Sequence, residues 1–210
     1  MVPLGSCRML LSPSPGELQG ASIHSSEALA ATRENFRQEA LRWREDCAGA
    51  RDNIALFYFA GHGVQRTRSD AVLLMSDFAG GGGNPLYNAV DVNNLFGGMA
   101  PTVERPEMAR TQLWFIDACR GFPAAFDNFE RLNASEIFEV MLSGRDDRCA
   151  PIYFGALPGS DAYSLSGTQT LFVRALFESL RDGAMPVASV WGVSLDGSLP
   201  WVRCYAGCRR

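Results

Sequence analysis

Continuous apolar runs along the chain predict the strands of a buried sheet. Residues Ile54–Ala60 are all apolar or aromatic and are followed by Gly61. Such a run is typical of a central parallel strand that is covered on both faces. Further strands are predicted at Cys7–Leu11, Ala71–Met75, Gln112–Ile116, Pro151–Ala156 and Ser189–Leu195.

Helical periodicity alternates with these runs. Thr32 is a predicted N-cap for a helix that ends near Asp46. Phe36, Ala40 and Trp43 recur on one face of this helix, which should therefore pack on the sheet. Asp91 is a predicted cap for a short helix through Phe96, and the other helical patterns are Phe126–Leu142 and Thr170–Leu180.

The alternation of strands and helices predicts an α/β fold, with a mostly parallel sheet and helices on both of its faces. Crossovers between parallel strands should be right-handed. No internal repeat or linker-like composition interrupts the pattern, so residues 1–210 are predicted to form one domain. Residues 123–150 are the candidate for an exposed connecting loop.

The composition is that of a globular protein, and it narrows the range of partners. The hydrophobic fraction of 47% and the charged fraction of 20% argue against disorder. The net charge of -4 gives no basic patch, so binding of nucleic acid is not predicted. No apolar run approaches the roughly 20 residues that span a bilayer, and the N-terminus lacks the pattern of a secretory signal.

The number and spacing of the cysteines and histidines predict reduced thiols and no zinc site. Six cysteines are scattered through a chain large enough to fold without disulfides, which predicts a cytoplasmic location. With only two histidines, His24 and His62, a zinc site would have to be mostly cysteine. The close pair Cys204 and Cys208 has no second pair to complete such a site, so no metal is predicted.

Two apolar runs end in reactive side chains. His62 lies between two glycines directly after the run that ends at Ala60, and Cys119 follows the run that ends at Ile116. Ligands bind at the carboxyl ends of parallel strands. If the two strands are neighbours, their imidazole and thiol should therefore meet at one edge of the sheet.

A thiol and an imidazole together form a nucleophile. A free cysteine has a pKa near ~8.5, so only a few per cent is thiolate at neutral pH. The imidazole of His62 can take the proton and later return it to a leaving amine. The N–H groups of Gly63 and Cys119 are candidate donors to a developing oxyanion, each worth roughly 3–4 kcal/mol at comparable sites.

The segments Phe59–Gly63 and Asp117–Gly121 resemble the histidine and cysteine motifs of the caspase, metacaspase and paracaspase superfamily. His62 precedes Cys119 by 57 residues, similar to the histidine about 50 residues upstream in that family. The motifs are most similar to those of metacaspase-like or prokaryotic members. The resemblance implies a three-layer sandwich and a cysteine endopeptidase that acts on protein or peptide substrates through an acyl-enzyme.

The resemblance also implies a strand before Cys7–Leu11. Family members usually begin with an apolar strand and a helix at that point, and the first strand normally lies inside the sheet. The sequence contains no such segment. We therefore expect the N-terminal strand to be missing and the chain to be truncated at its N-terminus.

Asp117, two residues before Cys119, implies a preference for basic substrates. Caspases that cleave after aspartate carry glutamine at this place, whereas metacaspases and paracaspases carry an aspartate that lines the S1 pocket. Asp161 is a second candidate carboxylate for this pocket. Arg or Lys is expected at P1, because either forms charge-assisted bonds with a carboxylate. The structural alternatives are a capping role for Asp117 and a solvated loop position for Asp161.

The resemblance also implies that the chain is a candidate substrate for its own cleavage. Some relatives cut themselves between the two halves of the domain, where Arg145 and Arg148 match the expected P1 preference. The chemistry requires no cofactor, while calcium dependence and oligomeric state stay open. The alternative to an enzyme is a catalytically inactive caspase-like scaffold that binds other proteins. A nucleotide-binding module is a weaker alternative, because the chain has neither a glycine fingerprint nor a phosphate-loop lysine.

Overall fold

The computed structural model describes residues 4–12, 28–67, 70–78, 80, 83–121, 132–139, 146–162 and 170–182. The helices are α1 Arg33–Cys47, α2 Val92–Gly98 and α3 Leu171–Asp182. The strands are β1 Leu10–Leu11, β2 Leu29–Ala30, β3 Ile54–Gly61, β4 Gly63–Val64, β5 Val72–Leu74, β6 Ala89–Asp91, β7 Thr111–Ala118 and β8 Ile152–Phe154.

The main sheet consists of parallel strands in the order β3–β7–β8. Strands β3 and β7 pair over their whole length, from Ile54 opposite Thr111 to Gly61 opposite Ala118. Strand β8 pairs with the middle of β7. The sequence prediction is confirmed for the strands at Ile54–Ala60, Gln112–Ile116 and Pro151–Ala156, and for their parallel direction.

Helix α1 covers one face of this sheet. Thr32 caps its first turn as predicted, because the hydroxyl oxygen accepts a hydrogen bond from the Asn35 N–H at 3.4 Å. The ring centroid of Trp114 in β7 lies 5.1 Å from that of Phe57 in β3 and 5.5 Å from that of Trp43 in α1. Trp114 is fully buried, so this aromatic cluster joins the helix to both strands.

Helix α3 lies on the opposite face. Phe115 in β7 stacks on Tyr153 in β8, with ring centroids 5.3 Å apart, and its ring lies 6.5 Å from that of Phe172 in α3. The hydroxyl of Thr170 accepts a hydrogen bond from the Val173 N–H at 3.2 Å and so caps the helix. The predicted α/β arrangement, with helices on both faces of the sheet, is confirmed.

The predicted position of β3 within the sheet is wrong. In the part of the chain that the structure describes, β3 is an edge strand rather than a central one. Ile54, Leu56 and Tyr58 are 52%, 52% and 43% exposed on the face opposite α1. An apolar run predicts a strand, but the segments that cover it are distant in sequence and decide its burial.

A small antiparallel sheet of β4, β5 and β6 continues from the carboxyl end of β3. The strand predicted at Ala71–Met75 is confirmed as β5, although it belongs to this second sheet. The predicted cap at Asp91 is also confirmed, because its Oδ1 accepts hydrogen bonds from the N–H groups of Asn93 and Asn94 at 2.8 and 3.3 Å. This sheet fixes the chain directly after the first reactive strand end.

The helix predicted at Phe126–Leu142 is wrong over its described part, because residues 132–139 contain no helix. A side chain holds this segment instead. The Asn94 Oδ1 accepts hydrogen bonds from the N–H groups of Ile137 and Phe138 at 2.7 and 3.0 Å. The local apolar spacing here reflects burial against α2 and not helical periodicity.

One predicted strand is shorter than expected, and some predictions fall outside the described residues. The strand predicted at Cys7–Leu11 is limited to β1, which pairs in parallel with β2. No helix among the described residues is long and apolar enough to cross a membrane. Outside the described residues lie His24, the predicted strand Ser189–Leu195, Cys204 and Cys208.

Candidate active site

The two reactive side chains follow neighbouring strand ends of the main sheet. Gly61 and Ala118 are the last paired residues of β3 and β7, and His62 and Cys119 come next in the chain. Adjacent strands lie about 4.8 Å apart. The structure therefore brings the histidine and the cysteine to one rim, side by side.

Backbone pairing with the small sheet holds His62. The Leu74 N–H donates to the His62 carbonyl oxygen at 2.9 Å, and Gly63 then faces Leu73 across the β4–β5 ladder. Bonded and non-bonded pairs alternate in such a ladder, so the N–H of Gly63 points away from β5. His62 itself is exposed.

Gly63 lets the histidine and cysteine segments touch. A Cβ added at this position would lie 2.7 Å from the carbonyl oxygen of Cys119 and 2.9 Å from the Cβ of Ala118. Both separations are shorter than van der Waals contact. Glycine therefore lets the backbone at this position lie against the turn that carries the thiol.

Cys119 carries a free, partly buried thiol that contacts the loop after β8. The Ala162 N–H donates to its Sγ at 3.3 Å. The Arg120 N–H donates to the Ser160 carbonyl at 2.9 Å, and the Gly159 N–H donates to the Arg120 carbonyl at 3.0 Å. These hydrogen bonds hold the loop after β8 against the turn that carries the thiol.

Asp117 is a buried carboxylate with one oxygen to spare. It is 3% exposed. Its Oδ2 accepts a hydrogen bond from the Thr170 hydroxyl, whereas its Oδ1 has no partner among the described residues. Burial raises the pKa of Asp117, and the bond from Thr170 partly offsets this rise. Neither oxygen caps the turn that follows, in contrast to the capping alternative.

The residues around Asp117 are Gly155, Thr170, Phe172 and, in the neighbouring strand, Tyr58, and the five together are called the acidic recess. A Cβ at Gly155 would lie 2.7 Å from the Asp117 Oδ1, so only glycine leaves room for that buried oxygen. The same added atom would lie 3.3 Å from the Cβ of Phe172. Tyr58 lies in β3 two residues before Ala60, the residue that pairs with Asp117. Burial, and then the charge of Asp117, raises the pKa of the Tyr58 hydroxyl.

Asp161, the other candidate carboxylate, lies elsewhere on the rim. It is exposed, and its Oδ1 is 3.1 Å from the position of an added Cβ on Gly121. Asp117, in contrast, is buried beside Gly155 and is bound by the Thr170 hydroxyl. The structure therefore brings only one of the two carboxylates into the recess.

Arg148 is buried, in contrast to the exposed loop arginine that the sequence led us to expect. Its side chain is 2% exposed and pairs with Asp146 at 2.7 Å. The guanidinium lies 4.5 Å from the ring centroid of Phe96 and donates to the Gln112 Oε1 at 3.0 Å. It would have to leave these partners before a peptidase pocket could bind it. Arg145 lies outside the described residues.

Sequence reasoning missed Gln65, Gly155 and Thr170. Thr170 contacts Asp117 across 53 residues of sequence, and no local pattern announces such a bond. The only local signal at Gln65 is a polar residue shortly after an apolar strand. Its burial depends on loops far along the chain, which the sequence pattern does not reveal.

The described residues contain no group of three or more His, Cys, Asp or Glu side chains suited to a metal ion.

Replacing Gly63 with Ala should lower the free energy of unfolding by about 1–3 kcal/mol, because the new Cβ must displace the backbone at Cys119. Gly61→Ala is the matched control. Its Cβ would meet only the tip of the Phe59 ring, at 3.0 Å, which a small ring rotation relieves. That change should cost less than about 1 kcal/mol. Denaturant unfolding measures both, and equal losses would contradict the close approach at Gly63.

The comparisons with known proteins agree with this geometry. The sequence model of the caspase domain matches residues 18–191, a range that contains His62, Cys119 and the acidic recess. A comparison with curated proteins found no match. The match covers most of the 210 residues, and the sandwich described above is a caspase-like fold. The chain therefore belongs to the caspase-domain family, within the superfamily of caspase-like cysteine peptidases.

Proposed function

We propose that the chain is a cysteine endopeptidase in which Cys119 is the nucleophile and His62 transfers protons. One observation carries the proposal: the pairing of Gly61 with Ala118 sets the next residue of each strand on a common rim. The exposed histidine, the free thiol and membership of a peptidase family support it.

In the proposed reaction, the Cys119 thiol gives its proton to His62 and the sulfur attacks the carbonyl carbon of the scissile peptide. The N–H groups of Gly63 and Cys119 bind the oxyanion. His62 returns the proton to the leaving amine, the C–N bond breaks, and a thioester remains on Cys119. His62 then takes a proton from water while the water oxygen attacks the thioester carbon. The C–S bond breaks, the acid leaves, and His62 returns the proton to the Cys119 sulfur. No cofactor takes part in these steps.

The acidic recess selects Arg or Lys at P1 in this proposal. The unpartnered Oδ1 of Asp117 is a buried acceptor that a guanidinium or ammonium satisfies. Thr170 holds the other oxygen and so fixes the orientation of the carboxylate. The nearby ring of Tyr58 can stack on a guanidinium plane. An acidic P1 side chain would meet like charge in a place with little water.

Removal of either member of the proposed dyad should abolish peptide hydrolysis. We expect Cys119→Ala and His62→Ala to lower kcat/KM for a fluorogenic peptidyl-arginine substrate by at least about a thousandfold. A peptidyl-arginine chloromethylketone should alkylate Cys119 of the native chain with loss of chloride, which adds the mass of the reagent less HCl.

Cys47→Ala is the control for the dyad, because that thiol is buried and burial raises its pKa to about 11. This variant should keep the activity of the native chain. Hydrolysis that survives in Cys119→Ala would sink the proposal. A native chain that neither hydrolyses nor takes the label would favour the inactive scaffold instead.

The charge of Asp117 should set both P1 preference and its pH dependence. We expect kcat/KM for P1 arginine to exceed that for P1 citrulline, its neutral isostere, by about 100-fold at neutral pH. Burial raises the pKa of Asp117, so this ratio should fall as pH drops, beginning above the ordinary range near ~3.9. The dyad is common to both substrates and cancels in the ratio.

Two substitutions separate the candidate carboxylates. Asp117→Asn should give a low ratio of arginine to citrulline cleavage that does not change with pH. Asp161→Asn should change the ratio only severalfold, since an exposed carboxylate is screened by water. Faster cleavage after aspartate than after arginine, or a larger effect of Asp161 than of Asp117, would refute the assignment.

Self-cleavage, if it occurs, should follow Arg145 and not Arg148. The Arg148 side chain is bound by Asp146, Gln112 and Phe96, whereas cleavage requires an arginine that can enter the recess. Prolonged incubation should yield a fragment that begins at Asp146, absent from Arg145→Ala and from Cys119→Ala. Arg148→Ala is the matched control and should still be cut. Mass spectrometry that finds a new terminus at Cys149 would contradict this assignment.

A further inference from the structure

Gln65 joins three segments of the rim. It lies three residues after His62 and is fully buried, with 0% of its surface exposed. Its N–H donates to the Gly121 carbonyl at 3.0 Å, two residues after Cys119. Its side-chain Oε1 accepts a hydrogen bond from the Gly159 N–H at 2.9 Å. The histidine segment, the cysteine turn and the loop after β8 therefore meet at one side chain.

The loop in question, Leu157–Ala162, turns at Gly159, whose φ of 79° favours glycine. The Gly159 N–H is shared between the Gln65 side chain and the Arg120 carbonyl. Three residues later, the Ala162 N–H donates to the Cys119 Sγ. The position of a donor at the nucleophile thus depends on where Gly159 is held.

We propose that Gln65 is a positioning residue that fixes the Leu157–Ala162 loop, and with it the Ala162 N–H, against the Cys119 sulfur. The catalytic consequence rests on the proposed function. The acceptor is the part of the side chain that this role requires. The Nε2 of the same amide has no partner among the described residues, an arrangement that costs free energy.

The test compares substitutions that remove or keep the acceptor. Gln65→Met removes it at similar volume, and Gln65→Glu keeps an oxygen in its place. Gln112→Met is the matched control, because Gln112 is also 0% exposed and its amide binds the Met99 and Ala109 carbonyls at the opposite end of β7. If Gln65→Met does not fold, Gln65→Asn replaces it, because its shorter side chain withdraws the acceptor.

Amide hydrogen exchange of residues 157–162 measures how firmly the loop is held, and the measurement does not depend on peptidase activity. Exchange should rise about tenfold or more in Gln65→Met, stay near the native rate in Gln65→Glu, and be unaffected by Gln112→Met. Unchanged exchange in Gln65→Met, or an equal rise in Gln112→Met, would overturn the proposal.

Hydrolysis of the peptidyl-arginine substrate then tests the link to catalysis. In Gln65→Met, kcat should fall about tenfold or more, with partial recovery in Gln65→Glu and none of this loss in Gln112→Met. A faster-exchanging loop with unchanged kcat would overturn the catalytic part. A native chain without hydrolysis would refute the peptidase, while the exchange data would still decide whether Gln65 holds the loop.

Discussion

Pairing of β3 with β7 in a single register is the constraint on which the site depends. A shift by one residue would turn every side chain of β3 to the other face of the sheet. Phe57 would then leave Trp114 and the core under α1, and His62 would no longer follow the residue opposite Ala118. The register that buries the aromatic cluster is therefore the same register that places His62 beside Cys119.

Several buried polar atoms near the rim lack a hydrogen-bond partner, which lowers the stability of the fold. Asp117 Oδ1, Gln65 Nε2 and Arg120 Nε have no hydrogen-bond partner among the described residues. Such atoms cost about 1–3 kcal/mol each. Arg8 and Arg33 also carry an unpaired nitrogen, so the number of such atoms does not mark a site. What marks it is their position beside a thiol, where a substrate or an ordered loop can make use of them.

Elements with strong local signals were predictable. The caps at Thr32 and Asp91 are bonds between residues only two or three positions apart, so the sequence contains both partners. The edge position of β3 and the absence of helix over residues 132–139 were not predictable. Both depend on partners distant in the chain, and an apolar run looks the same whether one face or two is covered.

The sequence by itself determined the three strands of the main sheet, the order of the reactive residues and the family-like motifs, because an apolar run and a short motif are local properties. The tertiary structure alone decided that Asp117 is buried while Asp161 is exposed, and that Arg148 is held by Gln112. It also decided that Gln65 binds the Gly159 N–H. Burial and hydrogen bonding between loops arise only when β3, β7 and β8 are assembled side by side, since each contact joins segments that the chain itself keeps far apart.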